Sequence, residues 1–255
     1  MYANYHTHTA RCKHAKGEDR EYVEAAIRSG MKVLGFSDHC PWIFDHDYVS
    51  GTRMEATELE HYIDSISRLK KEYAKDIVIY IGLECEYIPE LMEKQDKLLR
   101  DYPIDYKILG QHFLSPEPYA SYTGFATEDE SILEEYVDLI IEGMESGRYC
   151  YVAHPDLINF TGASEIYEKH MLRLCKYLKE KELPVEINLL GVYEKRHYTS
   201  DRFLRIAKKA GNSAIIGVDA HTPDRLERVD IQEKCAELAQ KYGLPLIDYL
   251  EGLGV

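Results

Sequence analysis

Residues 5–8 read Tyr5-His6-Thr7-His8, close to the start of the chain. Alternate side chains of a β-strand point to the same face, so a strand here presents His6 and His8 side by side while Thr7 faces away. Two neutral imidazoles at this spacing form half of a metal site. An HxH triplet also occurs without any function, so its meaning depends on the other histidines and carboxylates of the chain.

Composition limits the classes to which the chain can belong. Its 255 residues suffice for one α/β barrel or for two smaller domains. We see no long apolar run and no signal peptide, so we expect a cytoplasmic protein that does not enter a membrane. Six cysteines without a CxxC pair indicate reduced thiols. A formal charge of -14 argues against a nucleic-acid surface, so an anionic ligand must be attracted locally.

Short apolar runs alternate with amphipathic stretches along the chain, which is typical of βα units. The candidate strands are 4–8, 32–38, 78–84, 106–112, 150–154, 184–188 and 213–218. The candidate helices are 18–29, 55–75, 128–145, 165–181, 201–210 and 225–242. No linker or low-complexity tract interrupts this order, so we predict one α/β domain over residues 1–255, a distorted (β/α)7 barrel.

Residues able to bind metal follow the predicted strands with unusual regularity. The chain places His6, His8 and His14 at or after strand one, His39 after strand two, Glu84 at the end of strand three, His112 at the end of strand four, His154 at the end of strand five, and Asp219 and His221 after strand seven. In a βα barrel, functional groups lie at the C-terminal ends of the strands. Each histidine alone is as easily a hydrogen-bonded core residue. Together, seven imidazoles and two carboxylates at one barrel mouth would repel one another unless cations organise them.

Three further histidines serve as a contrast. His61 and His170 fall within helical patterns, and His46 lies in a polar stretch between predicted elements. We therefore predict that all three lie at the surface, away from the site.

The motifs at the strand ends resemble those of the PHP (polymerase and histidinol phosphatase) superfamily, and most of all its monofunctional histidinol-phosphatases. They are HTH at 6–8, His14, SDH at 37–39, GLECEY at 82–87, GQHF at 110–113, AHPD at 153–156 and VDAH at 218–221. The resemblance spans residues 5 to 223. It implies a distorted seven-stranded barrel that holds three divalent metals and a phosphatase that acts on L-histidinol phosphate in histidine biosynthesis.

Carried over by position, the resemblance divides the ligands into three sets. One metal is expected between His6, His8, Glu84 and Asp219, a second between Glu84, His112 and His154, and the third between His14, His39 and His221. Mixed imidazole and carboxylate ligands suit Zn, Mn or Fe better than Mg or Ca. A carboxylate shared by two metals is the arrangement that traps a hydroxide for in-line attack on phosphorus, so Glu84 is expected to be catalytic. Asp219, a ligand of the same metal as Glu84, is also expected to be catalytic.

Cationic contacts to the phosphate are expected from Arg196 and His197, in the loop after strand six, although a solvated loop residue is an equal alternative for Arg196. In the family pattern an arginine often follows the His-Pro-Asp-Leu-Ile stretch, whereas this chain has Asn159-Phe160. That departure weakens the assignment to histidinol phosphate. The irregular segment 113–127 is a candidate lid, in which Tyr119 and Tyr122 are candidates to stack on a substrate ring and Glu117 to meet an amino group.

Three alternatives stay open. The first is the same catalyst with another small phosphorylated substrate, which Asn159 favours. The second is an amidohydrolase, whose barrels also begin with HxH; Lys107, however, lies at the wrong end of strand four for a bridging lysine. The third is a noncatalytic metal-binding domain, which the complete ligand set disfavours. The sequence leaves the oligomeric state and the metal undetermined.

Overall fold

The computed structural model describes residues 1–44, 47–117 and 119–253. In these ranges, six strands alternate with helices in chain order. The strands are β1 (Ala3–Asn4), β2 (Val33–His39), β3 (Val78–Cys85), β4 (Tyr106–Leu109), β5 (Val185–Asn188) and β6 (Ala214–Gly217). The α-helices are α1 (Asp19–Arg28), α2 (Leu59–Glu72), α3 (Pro89–Leu99), α4 (Glu130–Glu145), α5 (Ser164–Glu180), α6 (Leu189–Glu194), α7 (Asp201–Ala210) and α8 (Val229–Tyr242).

Parallel pairing curls these strands into a ring. Strands β1 to β4 form one sheet in sequence order, and β5 pairs with β6. Val152 joins the two sheets through single bridges to Leu109 on one side and Val185 on the other. A bridge between Thr7 and Ala220 closes the ring behind β1 and β6. With Val152 as the fifth position, the predicted distorted (β/α)7 barrel is confirmed.

Burial on both faces explains why the central strands read as apolar runs. All seven residues of β2 and all four of β6 are buried. Alternate side chains face opposite ways, so Leu34 and Phe36 pack with the surrounding helices while Val33 joins a separate inner cluster. Such two-sided cover is what parallel strands between helices require.

Tyr106 fills part of the barrel interior. Its hydroxyl oxygen lies 2.7 Å from the carbonyl oxygen of Tyr5 and 3.0 Å from that of Phe36. Its ring lies so close to Gly82 that a β-carbon there would come within 2.4 Å of the ring atom Cε1. Gly82 is therefore needed for the close approach of an aromatic ring to the strand backbone.

Several sequence expectations differ from the structure. The predicted strand 4–8 is reduced to Ala3–Asn4, with a single bridge at Thr7 beyond it. The predicted strand 150–154 is reduced to the bridge at Val152, because His154 adopts a positive φ of 30° and Pro155 has no N–H for a ladder. Helices α3 and α6 were not predicted. Their starts carry ordinary signals, a proline at the first turn of α3 and the side chain of Asn188, which accepts a hydrogen bond from the Gly191 N–H at the start of α6. Among the described helices, none is both long and apolar enough to cross a membrane.

Candidate metal centre

Turns after the strands bring all nine predicted ligands to the C-terminal end of the barrel. His39 is the last residue of β2 and Glu84 is the penultimate residue of β3. The other ligands lie in the segments that follow the strands. His154 and Asp219 both have positive φ, 30° and 54°, so the chain turns sharply at these two positions. The strand ends therefore aim side chains from separate parts of the sequence at one region.

A cavity of about 520 Å3 opens at this end of the barrel. Eight of the nine predicted ligands line it, and the ninth, His6, is fully buried behind them. The eight are His8, His14, His39, Glu84, His112, His154, Asp219 and His221. The structure thus brings together every residue of the predicted ligand set.

Glu84 lies at the centre of the cluster. Its Oε1 is 2.9 Å from His154 Nε2 and 3.5 Å from His112 Nε2, and its Oε2 is 3.2 Å from His39 Nδ1. His6 Nε2 and His8 Nε2 lie 3.5 and 3.6 Å from the same carboxylate. Gly110 makes room for it, since a β-carbon at that position would meet Glu84 Oε1 at 2.1 Å.

Several buried polar atoms of the cluster have no hydrogen-bond partner among the described residues. They are both carboxylate oxygens of Glu84, Asp219 Oδ1, His6 Nε2, His8 Nδ1 and His154 Nδ1. Buried polar atoms without partners cost folding free energy, and native proteins rarely leave so many in one place. Imidazole nitrogens and carboxylate oxygens in such a group are suited to hold transition-metal ions.

Several groups of side chains place their ligand atoms within 4.8 Å of one another, and three of these groups match or overlap the predicted sets. They are His14, His39 and His221; His6, His8 and Asp219; and His6, Glu84 and His154. The first is the set expected for the third metal. The second contains three of the four residues expected for the first metal, and the last overlaps the expected bridging set.

Groups behind the ligands hold three of the imidazoles in place. His6 Nδ1 lies 2.9 Å from Glu186 Oε1, and His112 Nδ1 lies 3.0 Å from Glu86 Oε1. His14 Nδ1 lies 2.7 Å from the carbonyl oxygen of Cys12. When Nδ1 donates a proton to such an acceptor, Nε2 is left free as a ligand atom, as is usual around metal-binding histidines.

Sequence reasoning did not single out Glu86 or Glu186. Glu86 is buried and accepts two hydrogen bonds from Arg53, of 2.9 and 3.0 Å, in addition to its contact with His112. Glu186 Oε2 also accepts a 2.7 Å bond from the His154 N–H. The spacing of two residues between Glu84 and Glu86 at the end of β3 was a signal for Glu86, because residues two apart in extended chain share a face.

Neighbouring charges shift the pKa values of the clustered histidines in opposite directions, as His6 and His221 illustrate. Burial lowers the pKa of His6, but the carboxylates of Glu186, Asp219 and Glu84 outweigh it and hold that pKa well above its usual range. Burial, together with the positive charge of His8, lowers the pKa of His221 to about 3. Burial raises the pKa of Glu84, but the nearby imidazoles outweigh it and keep the carboxylate ionised.

Arg196 and His197 have different positions. Arg196 lines the cavity; its guanidinium donates to Glu194 Oε2 over 2.9 Å and to the Tyr198 hydroxyl over 2.9 Å. His197 is not among the described cavity-lining residues, and its Nε2 donates to the carbonyl oxygen of Leu157 over 2.6 Å. The structure therefore gives no support to a phosphate contact from His197.

The segment 113–127 contributes a cavity wall. Tyr122 lines the cavity, with its ring stacked 6.5 Å from that of His112. Tyr119 is 79% exposed and lies outside it. Glu117 is buried and accepts from Thr52, with Arg53 Nε 3.5 Å away, so its carboxylate is directed at protein groups instead of an amino group in the cavity.

The three contrast histidines do not behave alike. His61 is exposed and lies beside Arg11, as expected for a surface residue. The prediction for His170 is wrong, because the residue is buried with its Nε2 3.0 Å from Glu130 Oε1. His46 lies outside the described residues.

Residues 4–189 match the family model described as the PHP domain. The chain belongs to the PHP domain family. Among PHP relatives, a probable histidinol-phosphatase of Deinococcus radiodurans is 28% identical over 226 residues, which cover 86% of this chain and 85% of the relative. A histidinol-phosphatase of Bacillus subtilis is 27% identical over 248 residues, covering 85% and 92%.

A solved PHP structure shares the fold. It is the histidinol phosphate phosphatase of Lactococcus lactis, crystallised with zinc, L-histidinol and phosphate. Its TM-score is 0.73 at 21% identity, over 96% of this chain and 95% of that one. The resemblance inferred from the strand-end motifs is therefore confirmed at the level of family and fold.

Proposed function

We propose that this protein is a metal-dependent phosphomonoesterase that hydrolyses L-histidinol phosphate to L-histidinol and phosphate. The nine ligands hold three divalent transition-metal ions, Zn, Mn or Fe, in the sets given above. The observation that carries the proposal is the buried carboxylate of Glu84, which has five imidazoles around it and no hydrogen-bond partner among the described residues. Bound transition-metal ions activate water near neutral pH and neutralise charge on phosphoryl oxygens.

The chain's own residues orient the substrate. Arg196 lines the same cavity as the ligands, and a guanidinium can offer two parallel hydrogen bonds to a phosphate. The Tyr198 hydroxyl and Glu194 hold it in place. Arg196 is thus proposed as the cation that binds the phosphate, in a chain that has Asn159 where the family pattern often has an arginine after the His-Pro-Asp-Leu-Ile stretch.

The aromatic wall shields the reaction from bulk water. Phe113, Tyr122 and Phe125 line the cavity beside the ligands, and Tyr198 packs 5.6 Å from the ring of His154. Fewer water molecules in the cavity strengthen each electrostatic interaction between protein and phosphate. An imidazole-bearing substrate also finds flat apolar surface there.

One alternative has a specific observation in its favour. Asn159 does not line the cavity; its side chain donates to the carbonyl oxygen of Gly124 over 3.3 Å. The cavity therefore differs from the family pattern at a phosphate-binding position, which favours another small phosphorylated metabolite as the second candidate. Lys107 does not line the cavity either, so the hypothesis of an amidohydrolase lacks the lysine that would bridge its metals.

The test is phosphate release from a panel of small phosphomonoesters that includes L-histidinol phosphate. Protein stripped by a chelator should be inactive, and Zn, Mn or Fe should restore activity. Highest kcat/KM for histidinol phosphate supports the full proposal. A different preferred ester would overturn the substrate alone, while no turnover by metal-loaded protein would overturn the phosphatase. The single domain, the cytoplasmic location and the lack of nucleic-acid partners stay predictions from the sequence.

A further inference from the structure

Glu194 differs from the other carboxylates around the cavity. The described charged residues that line it, apart from the proposed metal ligands, are Arg53, Glu86, Glu194 and Arg196. Arg53 and Glu86 bind each other and are buried. Glu194 is 35% exposed in its side chain and is thus the one carboxylate of this described group open to a ligand.

One oxygen of Glu194 keeps its capacity to accept hydrogen bonds. Oε2 receives Arg196, with Nε at 2.9 Å and the second guanidinium nitrogen at 2.7 Å. Oε1 has only Arg225 nearby, at 3.8 Å, which is too long for a hydrogen bond. Arg225 is instead stacked over the ring of Tyr193, 3.9 Å from its centroid. Oε1 therefore remains an acceptor without a donor among the described residues.

The backbone fixes both members of the pair. Glu194 is the last residue of α6, which ends where Lys195 takes a left-handed conformation with φ of 56°. The Arg196 N–H then donates to the Gly191 carbonyl oxygen over 2.9 Å and turns the chain back onto the helix. A negative and a positive group are thus presented next to each other at the cavity by a rigid turn.

We infer that Glu194 binds the substrate ammonium while Arg196 binds its phosphate, so that the cavity selects phosphate esters of amino alcohols with the amino group on the adjacent carbon. This inference rests on the proposed function and deepens it. L-Histidinol phosphate has this arrangement: its ammonium lies on the carbon next to the one that carries the ester. A neighbouring carboxylate and guanidinium match the two opposite charges of such a molecule.

The experiment compares two substrate pairs that differ only in the amino group. One pair is L-histidinol phosphate and 3-(imidazol-4-yl)propyl phosphate, and the other is ethanolamine phosphate and ethyl phosphate. In Glu194→Gln, kcat/KM for the amino members should fall by about ten- to a hundredfold, the scale of a charge-assisted hydrogen bond, mainly through KM. The amino-free members lose only the support that Glu194 gives to Arg196, a loss that both members of a pair share. The preference for the amino member, measured as the ratio of kcat/KM within each pair, should therefore fall by about tenfold or more.

Controls separate recognition from a loss of structure. Glu72→Gln breaks a similar exposed pair, with Arg20 at 2.6 Å, outside the cavity lining and should leave both substrate pairs unchanged. Metal content and melting temperature should match the parent in both variants. Glu194→Asp, which keeps the charge, should recover part of the discrimination.

Each outcome decides one claim. Equal losses on both members of a pair would show that Glu194 only positions Arg196, which overturns the inference. Undiminished preference for the amino member in Glu194→Gln would overturn it as well. If the metal-loaded parent hydrolyses neither pair, the proposed function fails and the inference falls with it.

Discussion

At the scale of single residues, the buried carboxylate of Glu84 is the group of the site that most needs compensating positive charge. A carboxylate buried to this degree is costly unless opposite charges or hydrogen bonds compensate it. Here the compensation comes from five imidazoles that converge from four separate strand ends and loops. A residue in this setting is explained by cations held between it and the histidines.

Replacement of His112 separates a ligand from a bystander. His112→Ala removes an imidazole whose Nε2 lies 3.5 Å from Glu84, so kcat should fall by more than about a hundredfold. His61→Ala, at an exposed histidine away from the cavity, should leave kcat nearly unchanged. Steady-state kinetics on L-histidinol phosphate measures both. Equal losses in the two variants would mean that the effect is on folding, and the ligand assignment would fail.

Substitution of Arg196 tests its proposed contact with the phosphate. Arg196→Ala should lower kcat/KM by about a hundredfold, the scale of one lost transition-state donor, and Arg196→Lys should recover part of it because an ammonium cannot form two parallel bonds. Metal content should not change. Arg20→Ala, which breaks an exposed ion pair outside the cavity lining, is the matched control. Unaltered kinetics in Arg196→Ala would make Arg196 a solvated loop residue.

Asp156 adds a pH dependence to stability. Burial raises its pKa from 3.8 to about 6, so the folded chain holds this proton more tightly than the unfolded chain does. The contribution of Asp156 to stability is therefore greatest below pH 4 and is lost as pH rises through 6, by about 3 kcal/mol in total. Asp156→Asn keeps an oxygen for the Ser200 N–H and loses the titration.

Denaturant unfolding of metal-stripped protein at pH 4 and pH 7 tests this prediction. The free-energy difference between Asp156→Asn and its parent should shift by about 2 kcal/mol in favour of the variant between the two values, because the unfolded carboxyl is already partly ionised at pH 4. Other titrating groups are common to both proteins and cancel. A difference that is independent of pH would contradict the burial argument.

At the scale of elements, the interior of the barrel depends on the fit between strands. Gly82→Ala would place a methyl group within 2.4 Å of the Tyr106 ring, and overpacking of this kind lowers the free energy of unfolding by about 1–3 kcal/mol. Gly51→Ala, with no neighbouring atom within 4 Å of the new β-carbon, should change it by less than about 0.5 kcal/mol. Urea unfolding of the two variants checks this, and equal stabilities would contradict the packing described for Tyr106.

Individual elements show what the sequence could and could not predict. The positions of His39 and Glu84 follow from strand periodicity, since each lies at or next to the end of an apolar run. The buried position of His170 was also readable, because it shares a helical stripe with Tyr167, Met171 and Leu174. The contact between Arg53 and Glu86 was not readable, since it depends on how the irregular chain before α2 packs on the barrel.

At the scale of the whole molecule, the net charge of the chain and the charge proposed for its metal-loaded cavity have opposite signs. The chain carries a formal charge of -14, yet its proposed substrate is an anion. Cations bound in the cavity, together with Arg196 at its wall, would make the local field positive where the phosphate docks. The protein thereby attracts the substrate through its site and not through its overall charge.

Elemental analysis of the purified protein tests the central claim most directly. The proposal divides the nine converging side chains into three ligand sets, so expression with added Zn, Mn or Fe should yield about three transition-metal ions per chain. A content close to three, lost on chelation together with phosphatase activity, is the predicted result. A content of one ion or fewer per chain in folded protein would contradict the account of the cluster around Glu84.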